Sequence, residues 1–419
     1  MKNIAMIILA AGEGTRMKSS TPKVLHPICG KPMIKYPIDA AKAIGVEKII
    51  AVVGHKSDLV EKSLPEVKCV KQDRLLGTGD AVMKTQKMIL KDKNVDSVLI
   101  LCGDTPLLTP ETLNKAVQRH LSARSACTLL TADLKNPTGY GRIVRSGSNK
   151  IIKIVEEIDA SIYDKVIEEI NVGVYCFDKN TLFKALESVR PDNRKKEYYL
   201  TDVIEILAKS NSAVDSVSTD DPEEFLGVNT RKDLIRAEQV VRQRTLDRIM
   251  EAGVTIVDPR NTYIEQDVEI KKDTVIYPYT FLENDVKIGS CCSIGPFARL
   301  RSGSVVEDNA SIGNFVEIVR SRVGKYTKIR HQCYIGDTTI GKHVNIGAGT
   351  IVANYDGKHK HKTIIEDNAF IGTGTILIAP VKIGKNAITG SGSVVTKDHN
   401  VPAGKTVVGV PARILKKKR

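Results

Sequence analysis

The chain has 419 residues, of which 42% are hydrophobic and only 5% aromatic, with no tryptophan and a formal net charge of +14. That apolar content excludes an intrinsically disordered chain, the length suits roughly two or three domains, and no apolar run approaches the ~20 residues of a membrane span. The positive balance favours anionic partners: nucleic acid, a membrane surface or phosphorylated small molecules. No aromatic RNA-binding motif or helix-turn-helix signature accompanies it, so nucleic acid is not expected.

The first residues run directly into a motif and lack a signal-peptide cleavage pattern. The eight cysteines show no Cys-x-x-Cys and no zinc spacing. Both features predict a cytoplasmic protein with reduced cysteines. Residues 4–9 form a continuous apolar run that reads as a strand, as do residues 48–53 and 97–101. Residues 33–44 and 79–90 read as helices. Strands alternating with helices up to about residue 229 predict a βαβ domain with a mostly parallel sheet. Ligands of such sheets bind at the C-terminal ends of the strands.

The first strand ends in Leu9-Ala10-Ala11-Gly12-Glu13-Gly14-Thr15-Arg16-Met17, followed by Pro22-Lys23. Two glycines let the backbone approach a polyanion, and successive N–H groups can cradle phosphate. Arg16 and Lys23 add fixed positive charge. A Gly-x-Gly alone also suits an ordinary tight turn, and this one is neither a Walker A motif nor a dinucleotide fingerprint.

Residues 230–252 are charged, with apolar spacing at Leu234, Ala237, Val241, Leu246 and Ile249, which predicts an amphipathic linker helix ending at Gly253. Beyond it, aliphatic residues recur every six positions, as at Ile264, Ile270, Ile276, Leu282, Ile288, Ile294, Leu300, Val306, Ile312 and Ile318. The register slips by one before Val323 and again before Ile340. Small or β-branched residues such as Thr274, Thr280, Ala298 and Ser304 stand four positions after many of them. A period of six fits a coil of three short parallel strands, about 18 residues per turn, with one aliphatic residue pointing inward on each face. Glycines after the aliphatic residue, among them Gly289, Gly313, Gly341, Gly372 and Gly384, suit corner turns. Residues 353–363 break the period and should loop out. The basic run 416–419 reads as a solvated tail.

The first-half motifs together resemble the sugar-nucleotide pyrophosphorylases, which join a nucleoside triphosphate to a sugar 1-phosphate. Further matches are Gln72 with Leu76-Gly77-Thr78-Gly79, Cys102-Gly103-Asp104-Thr105-Pro106-Leu107, Gly139-Tyr140-Gly141-Arg142, Val155-Glu156, Asn171-Val172-Gly173 and Gly227-Val228-Asn229. The resemblance implies that Asp104 and Asn229 hold Mg²⁺ and that Lys23, Arg16 and the Gly12 loop hold the triphosphate. It further implies that Leu9, Ala10, Ala11, Cys102 and Gly103 line the nucleotide site, that Gln72, Gly77 and Thr78 read uracil, and that Gly141, Glu156 and Asn171 read the sugar and ribose.

The coil carries a second ordered set: Arg299-Leu300-Arg301, Gly313-Asn314-Phe315-Val316-Glu317, His331 with Tyr334-Ile335-Gly336-Asp337, Asn345 to Thr350, and Asn354-Tyr355-Asp356-Gly357. With the first half it resembles the bifunctional bacterial N-acetylglucosamine-1-phosphate uridyltransferase and glucosamine-1-phosphate N-acetyltransferase family. The resemblance implies a Rossmann-like domain over residues 1–229, a linker helix over 230–252 and a left-handed parallel β-helix over 253–419, assembled as a homotrimer. His331 would be the general base. Arg301, Tyr334, Asn345 and Lys360 would bind glucosamine 1-phosphate. Ala348, Asn354, Tyr355, Thr373 and Ser391 would line the acetyl-CoA groove. The expected substrates are UTP, N-acetylglucosamine 1-phosphate, glucosamine 1-phosphate and acetyl-CoA. The chain departs from the family at Val319, where a phosphate-binding lysine is usual, and at 408–413, where an arginine often touches CoA. Arg322 and Arg330 are the nearby cations that could compensate. Those departures keep open an alternative in which the coil only trimerises a uridyltransferase or serves another acceptor.

Overall fold

The computed structural model describes residue 1, residues 3–219 and residues 221–415; the basic run at 416–419 lies outside them. The chain forms two compact units, Met1–Val240 and Val241–Arg419. The division falls inside one long helix, Arg231–Glu251.

The N-terminal unit is built on strands β1 (Ile4–Ala10), β2 (Lys48–Val53), β3 (Lys68–Lys71), β4 (Ser97–Cys102), β5 (Cys127–Asp133), β6 (Arg142–Arg145), β7 (Ile151–Val155), β8 (Glu169–Asp178) and β9 (Val214–Ser218). The central order is β9-β5-β8-β4-β1-β2-β3, with β6 and β7 attached to β8 as an antiparallel hairpin. β1 runs parallel to both β2 and β4, whereas β8 is antiparallel to its neighbours β4 and β5. The expected mostly parallel sheet is therefore present. β1 is apolar throughout because both its faces are covered: Ile4, Met6 and Ile8 enter one core, Ala5 and Ile7 the other. The helix expected over 79–90 is two helices, Thr78–Met83 and Gln86–Lys91. The break is at Thr85, a fully buried residue whose hydroxyl donates to Val82 O at 2.7 Å, competing with the helical ladder.

The C-terminal unit is a left-handed parallel β-helix. Short strands pair with the next turn eighteen residues on, as Phe281–Leu282 with Arg299–Leu300 and Glu269–Ile270 with Lys287–Ile288. Inward aliphatic residues such as Ile276, Leu300, Ile312 and Leu377 are fully buried, and each adds about 1.5–3 kcal/mol of burial. Several buried threonine hydroxyls are satisfied by the coil, as Thr274 Oγ1 donating to Gly289 O at 2.8 Å, whereas those of Thr280 and Thr363 have no partner among the described residues.

Two turns are one residue short, as the register slips required. The spacing there falls to 17, and pairing runs straight through a corner. The result is two long strands, Ser311–Val319 and Lys328–Gly336, side by side. Another turn is lengthened to a spacing of 25. Its extra residues leave the coil between the strands Ile351–Ala353 and Thr363–Ile365, as expected. An isolated antiparallel bridge between Tyr355 and Lys360 closes that loop.

The glycines need a correction. The left-handed corner positions are largely held by other residues, including Asp273, Asp285, Asn309, Asn368 and Asn386. Asp and Asn tolerate that conformation better than other side chains. The glycines after the inward aliphatic residue are needed instead for close approach between turns: a Cβ on Gly313 would lie 1.9 Å from Arg330 O, and one on Gly384 2.5 Å from Ala403 N. A Gly313→Ala substitution therefore costs about 1–3 kcal/mol, read as a fall in thermal midpoint. Gly147→Ala, with open space around it, stays within about 0.5 kcal/mol of the parent. Equal midpoints for the two variants would disprove the close-approach account.

Candidate active sites

The C-terminal ends of β1 and β4 open into a cavity of about 510 Å³ lined by Leu9, Ala10, Ala11, Gly12, Lys23, Gln72, Gly77, Thr78, Cys102 and Asp104. Gly14 has φ 64, and a Cβ there would fall 2.6 Å from Lys23 Cβ, so a glycine lets the loop fold against the lysine. Gly103, outside the lining, donates its N–H to Leu9 O at 2.9 Å and ties the two strand ends together. Burial and the neighbouring Asp104 carboxylate push the Cys102 thiol up to about 12, so it is an inert wall.

Four side chains meet at the mouth. Lys23 Nζ donates to Asp104 Oδ2 and, at 3.2 Å, to Asn229 Oδ1; Arg16 Nη2 donates to the same Asn229 oxygen at 2.8 Å. Asn229 is held by the start of the long helix. Asp233 accepts from the backbone N–H of Thr230 at 2.8 Å and of Asn229 at 3.1 Å, while its own N–H donates to Thr230 Oγ1 at 3.2 Å. This reciprocal cap fixes the residue immediately before it.

Gln72 is almost fully buried. Its Nε2 donates to Gly77 O at 3.1 Å and to Asp80 Oδ2 at 2.8 Å, which fixes the amide with Oε1 as the free acceptor. Lys84 pairs with the other Asp80 oxygen at 3.0 Å. Thr78 Oγ1 accepts from Leu200 N at 3.0 Å, bringing a distant segment to the cavity. Lys195 and Glu197 from that segment also line it. Sequence reasoning missed both, because nothing local marks residues that reach a site through a chain return.

Gly141, Glu156 and Asn171 form a second group. Asn171 N donates to Gly141 O at 2.8 Å, and a Cβ on Gly141 would lie 3.7 Å from Glu156 Oε2. Burial raises the Glu156 carboxyl above its ordinary range, opposed by the Thr201 hydroxyl 3.1 Å away and by Lys195. The loop before Gly141 is clamped by Arg142, a buried guanidinium that donates to Tyr140 O and to Glu157 at 2.7 Å; Glu157 also accepts from Gly139 N at 3.2 Å. None of Gly141, Glu156, Asn171 and Asn229 is among the residues lining the 510 Å³ cavity.

On the coil, His331 is exposed at the flattened corner, beside Asn314 of the previous turn. Its Nδ1 lies 3.1 Å from Asn314 Oδ1. An amide oxygen there holds the proton on Nδ1 and leaves Nε2 with its lone pair. Asn314 stood in the quoted motif without a role; the 17-residue register is what makes it the histidine's partner.

Arg301 donates to Glu317 Oε1 at 3.2 Å, and Glu317 pairs in register with Tyr334. Tyr334 OH and the Asn354 amide both crowd Gly336. Asn354 Nδ2 donates to Asp337, which also takes two bonds from Arg320 at 2.7 and 2.8 Å. Ala348, Thr373 and Ser391 stack on successive turns: Gly374 N donates to Ala348 O and Gly392 N to Thr373 O, both at 2.7 Å, and a Cβ on Gly372 would touch Ser391 N. Lys360 and Tyr355 lie exposed on the extruded loop. Asn345 pairs in register with Lys328, three residues before His331 on its strand. Val319 is buried. Arg322 is ion-paired to Glu307, whereas Arg330 carries no ion pair among the described residues.

The nucleotidyl transferase family model matches residues 5–240, and the bacterial transferase hexapeptide model (six repeats) matches residues 285–320 and 362–397. The chain is 42% identical to the bifunctional protein GlmU of Alkaliphilus metalliredigens, over 96% of this chain and 95% of that protein. It is 43% identical to the bifunctional protein GlmU of Halalkalibacterium halodurans, over 95% and 94%, and 44% identical to that of Carboxydothermus hydrogenoformans, over 94% and 95%. Matches of that identity along nearly the whole length, with a glycine-lined cavity in one unit and a histidine-bearing coil in the other, mean that the chain belongs to the family of bifunctional GlmU proteins.

Proposed function

We propose that the two groups of side chains described above carry the two reactions of UDP-N-acetylglucosamine synthesis. The chain is a bifunctional enzyme: it acetylates glucosamine 1-phosphate with acetyl-CoA, and it transfers UMP from UTP to N-acetylglucosamine 1-phosphate. The observation that carries the first site is the meeting of Lys23, Arg16, Asp104 and Asn229 at the mouth of a glycine-lined cavity.

In the uridyl transfer, a phosphate oxygen of the sugar phosphate attacks the α-phosphorus of UTP, and the bond to the β-phosphate oxygen breaks to release pyrophosphate. The nucleophile is already an anion, so no strong base is required; the obstacle is charge and alignment. Lys23, Arg16 and the N–H groups of the Gly12 loop neutralise and orient the triphosphate. Asp104 and Asn229 suit Mg²⁺: one carboxylate and one amide oxygen converge on a shared cation, and a hard ion that keeps phosphate and water ligands needs no larger protein cage. Bound there, Mg²⁺ supplies further charge neutralisation. Gln72 Oε1 accepts the N3–H of uracil. Gly141, Glu156 and Asn171 take the sugar and ribose hydroxyls.

In the acetyl transfer, His331 Nε2 removes a proton from the glucosamine ammonium, and the amine attacks the thioester carbonyl; coenzyme A leaves as the thiol. Arg301 and Arg330 supply charge for the sugar phosphate, with Tyr334, Asn345 and Lys360 as further contacts. Ala348, Asn354, Tyr355, Thr373 and Ser391 line the acetyl-CoA groove. Asn345 and the loop carrying Lys360 stand apart from His331 along the chain, and apolar Phe370 and Ile388 lie exposed and paired on the outside of adjacent turns. Both features support a homotrimer in which neighbouring copies complete each site. Among the described residues no helix is long and apolar enough to cross a membrane.

The direct test is thiol release from acetyl-CoA with and without glucosamine 1-phosphate. Release depends on the sugar phosphate, disappears in His331→Ala, and falls about tenfold in Asn314→Ala, the loss of one tautomer-fixing hydrogen bond. A protein that makes UDP-N-acetylglucosamine but releases no thiol would leave the coil as a scaffold or the enzyme of another acceptor.

Two outcomes probe the first site. Asp80→Ala lets the Gln72 amide turn over, so the preference for UTP over CTP shrinks about tenfold in kcat/KM; an unchanged preference would remove Gln72 from base reading. Because the Glu156 carboxyl is raised in the folded protein, it protonates at a higher pH than an ordinary glutamate. KM for N-acetylglucosamine 1-phosphate therefore rises as pH falls through that raised value, and Glu156→Gln flattens the profile. By the same sign, folding stability contributed by this group is lowest above its folded pKa, so Glu156→Gln stabilises the chain at neutral pH. A profile unaltered by the substitution would take Glu156 out of the sugar site.

A further inference from the structure

We propose that Lys23 holds the metal's place in the metal-free protein, so that a divalent cation enters between Asp104 and Asn229 only as the Lys23 ammonium moves to a phosphate. The inference rests on the metal assignment proposed above and goes beyond it in naming what controls entry.

Both oxygens that would ligate a metal are already engaged. Lys23 Nζ donates to Asp104 Oδ2 and to Asn229 Oδ1, and Arg16 adds a second donor to that amide oxygen. The Lys23 and Asp104 side chains are only 15% and 24% exposed, so the pair is partly shielded from water. A metal binding both oxygens needs them at about 2.0–2.1 Å, which an ammonium bonded to the same atoms prevents by position and by like charge.

The exchange has a built-in driver. The lysine stem is fixed where the Gly14 backbone packs against Lys23 Cβ, but its ammonium is a compact charge on a flexible four-carbon chain. A triphosphate entering along the Gly12 loop offers that ammonium more negative charge than one carboxylate does. As the ammonium turns to phosphate, Asp104 and Asn229 are freed, and one cation replaces another at the same carboxylate. The protein alone is a poor chelator in any case: among the described residues no group of three His, Cys, Asp or Glu is arranged to hold a metal. The metal therefore binds with the nucleotide rather than ahead of it.

The test is direct binding of Mn²⁺ to the full chain without nucleotide, followed by electron paramagnetic resonance of the free ion. Lys23→Met binds Mn²⁺ at least tenfold more tightly than the parent. Arg16→Met, which removes an equal charge from Asn229 alone, gains far less, and Asp104→Asn abolishes binding in both backgrounds. Lys23→Gln repeats the measurement should the methionine variant fail to fold. Equal affinity of parent and Lys23 variants, with Asp104→Asn still abolishing binding, overturns the placeholder and leaves the metal assignment standing. An equal gain in Arg16→Met also overturns it, by making the effect one of general charge. Binding indifferent to Asp104→Asn overturns the metal assignment itself and the placeholder with it; no binding by any variant overturns the placeholder alone, since the nucleotide would supply the remaining ligands.

Discussion

The C-terminal unit depends on how closely one turn of backbone can lie against the next. Arg330 O stands 1.9 Å from where a Cβ on Gly313 would be, and the same crowding recurs at Gly289, Gly341, Gly347, Gly372 and Gly384. Only glycine permits that spacing, and the spacing sets the hydrogen-bond register from turn to turn. Register in turn decides which side chains become neighbours. Where a turn has 18 residues, a side chain meets the equivalent position on the same face one turn on. Where it has 17, pairing continues through the corner, and Asn314 arrives opposite His331. The histidine's partner is thus a consequence of turn length, which sets the register between neighbouring strands.

The N-terminal unit solves a different problem, the holding of cations and anions near each other without burying any alone. Three cations near the cavity are each held by an oxygen: Lys23 by Asp104, Arg16 by the Asn229 amide and Lys84 by Asp80. The partners are themselves anchored, Asn229 by the Asp233 cap and Gln72 by Asp80. Phosphoryl transfer asks mainly for fixed charge and alignment, so these second contacts matter as much as the groups that would touch phosphate. They also explain why a long helix begins immediately after Asn229: its reciprocal cap satisfies the first backbone donors and sets that residue's position in one step.

Much of this was legible in the sequence, for identifiable reasons. The period of six is visible because every face of every turn needs one inward aliphatic residue, and the two slips are visible because a missing residue shifts all that follow. The glycine loop after the first strand is visible because its two glycines, Arg16 and Lys23 fall within a short stretch. Other features were not legible. Lys195 and Glu197 reach the cavity only because Thr78 and Leu200 bond across more than a hundred residues. The helix break at Thr85 depends on a buried hydroxyl choosing Val82 O over solvent. The role of the coil glycines was misread as turn geometry because a sequence shows a corner but not the neighbouring turn that presses on it.

Val319 shows how far the coil geometry constrains the chemistry. It ends the long strand Ser311–Val319, pairs with Gly336 and is 2% exposed. It follows the inward Ile318 and supplies no charge, so a cation for the sugar phosphate has to come from another position. Arg320 is committed to Asp337 through two hydrogen bonds, and Arg322 to Glu307. Either would have to break a charge-assisted contact before taking phosphate. Arg301 lies between two carboxylates, donating to Glu317 at 3.2 Å with its Nε 3.8 Å from Glu283. Arg330 is free of ion pairs among the described residues and directly precedes His331. The cation that can turn to phosphate without breaking an ion pair is therefore Arg330, which stands exposed beside His331 on the long strand at the flattened corner.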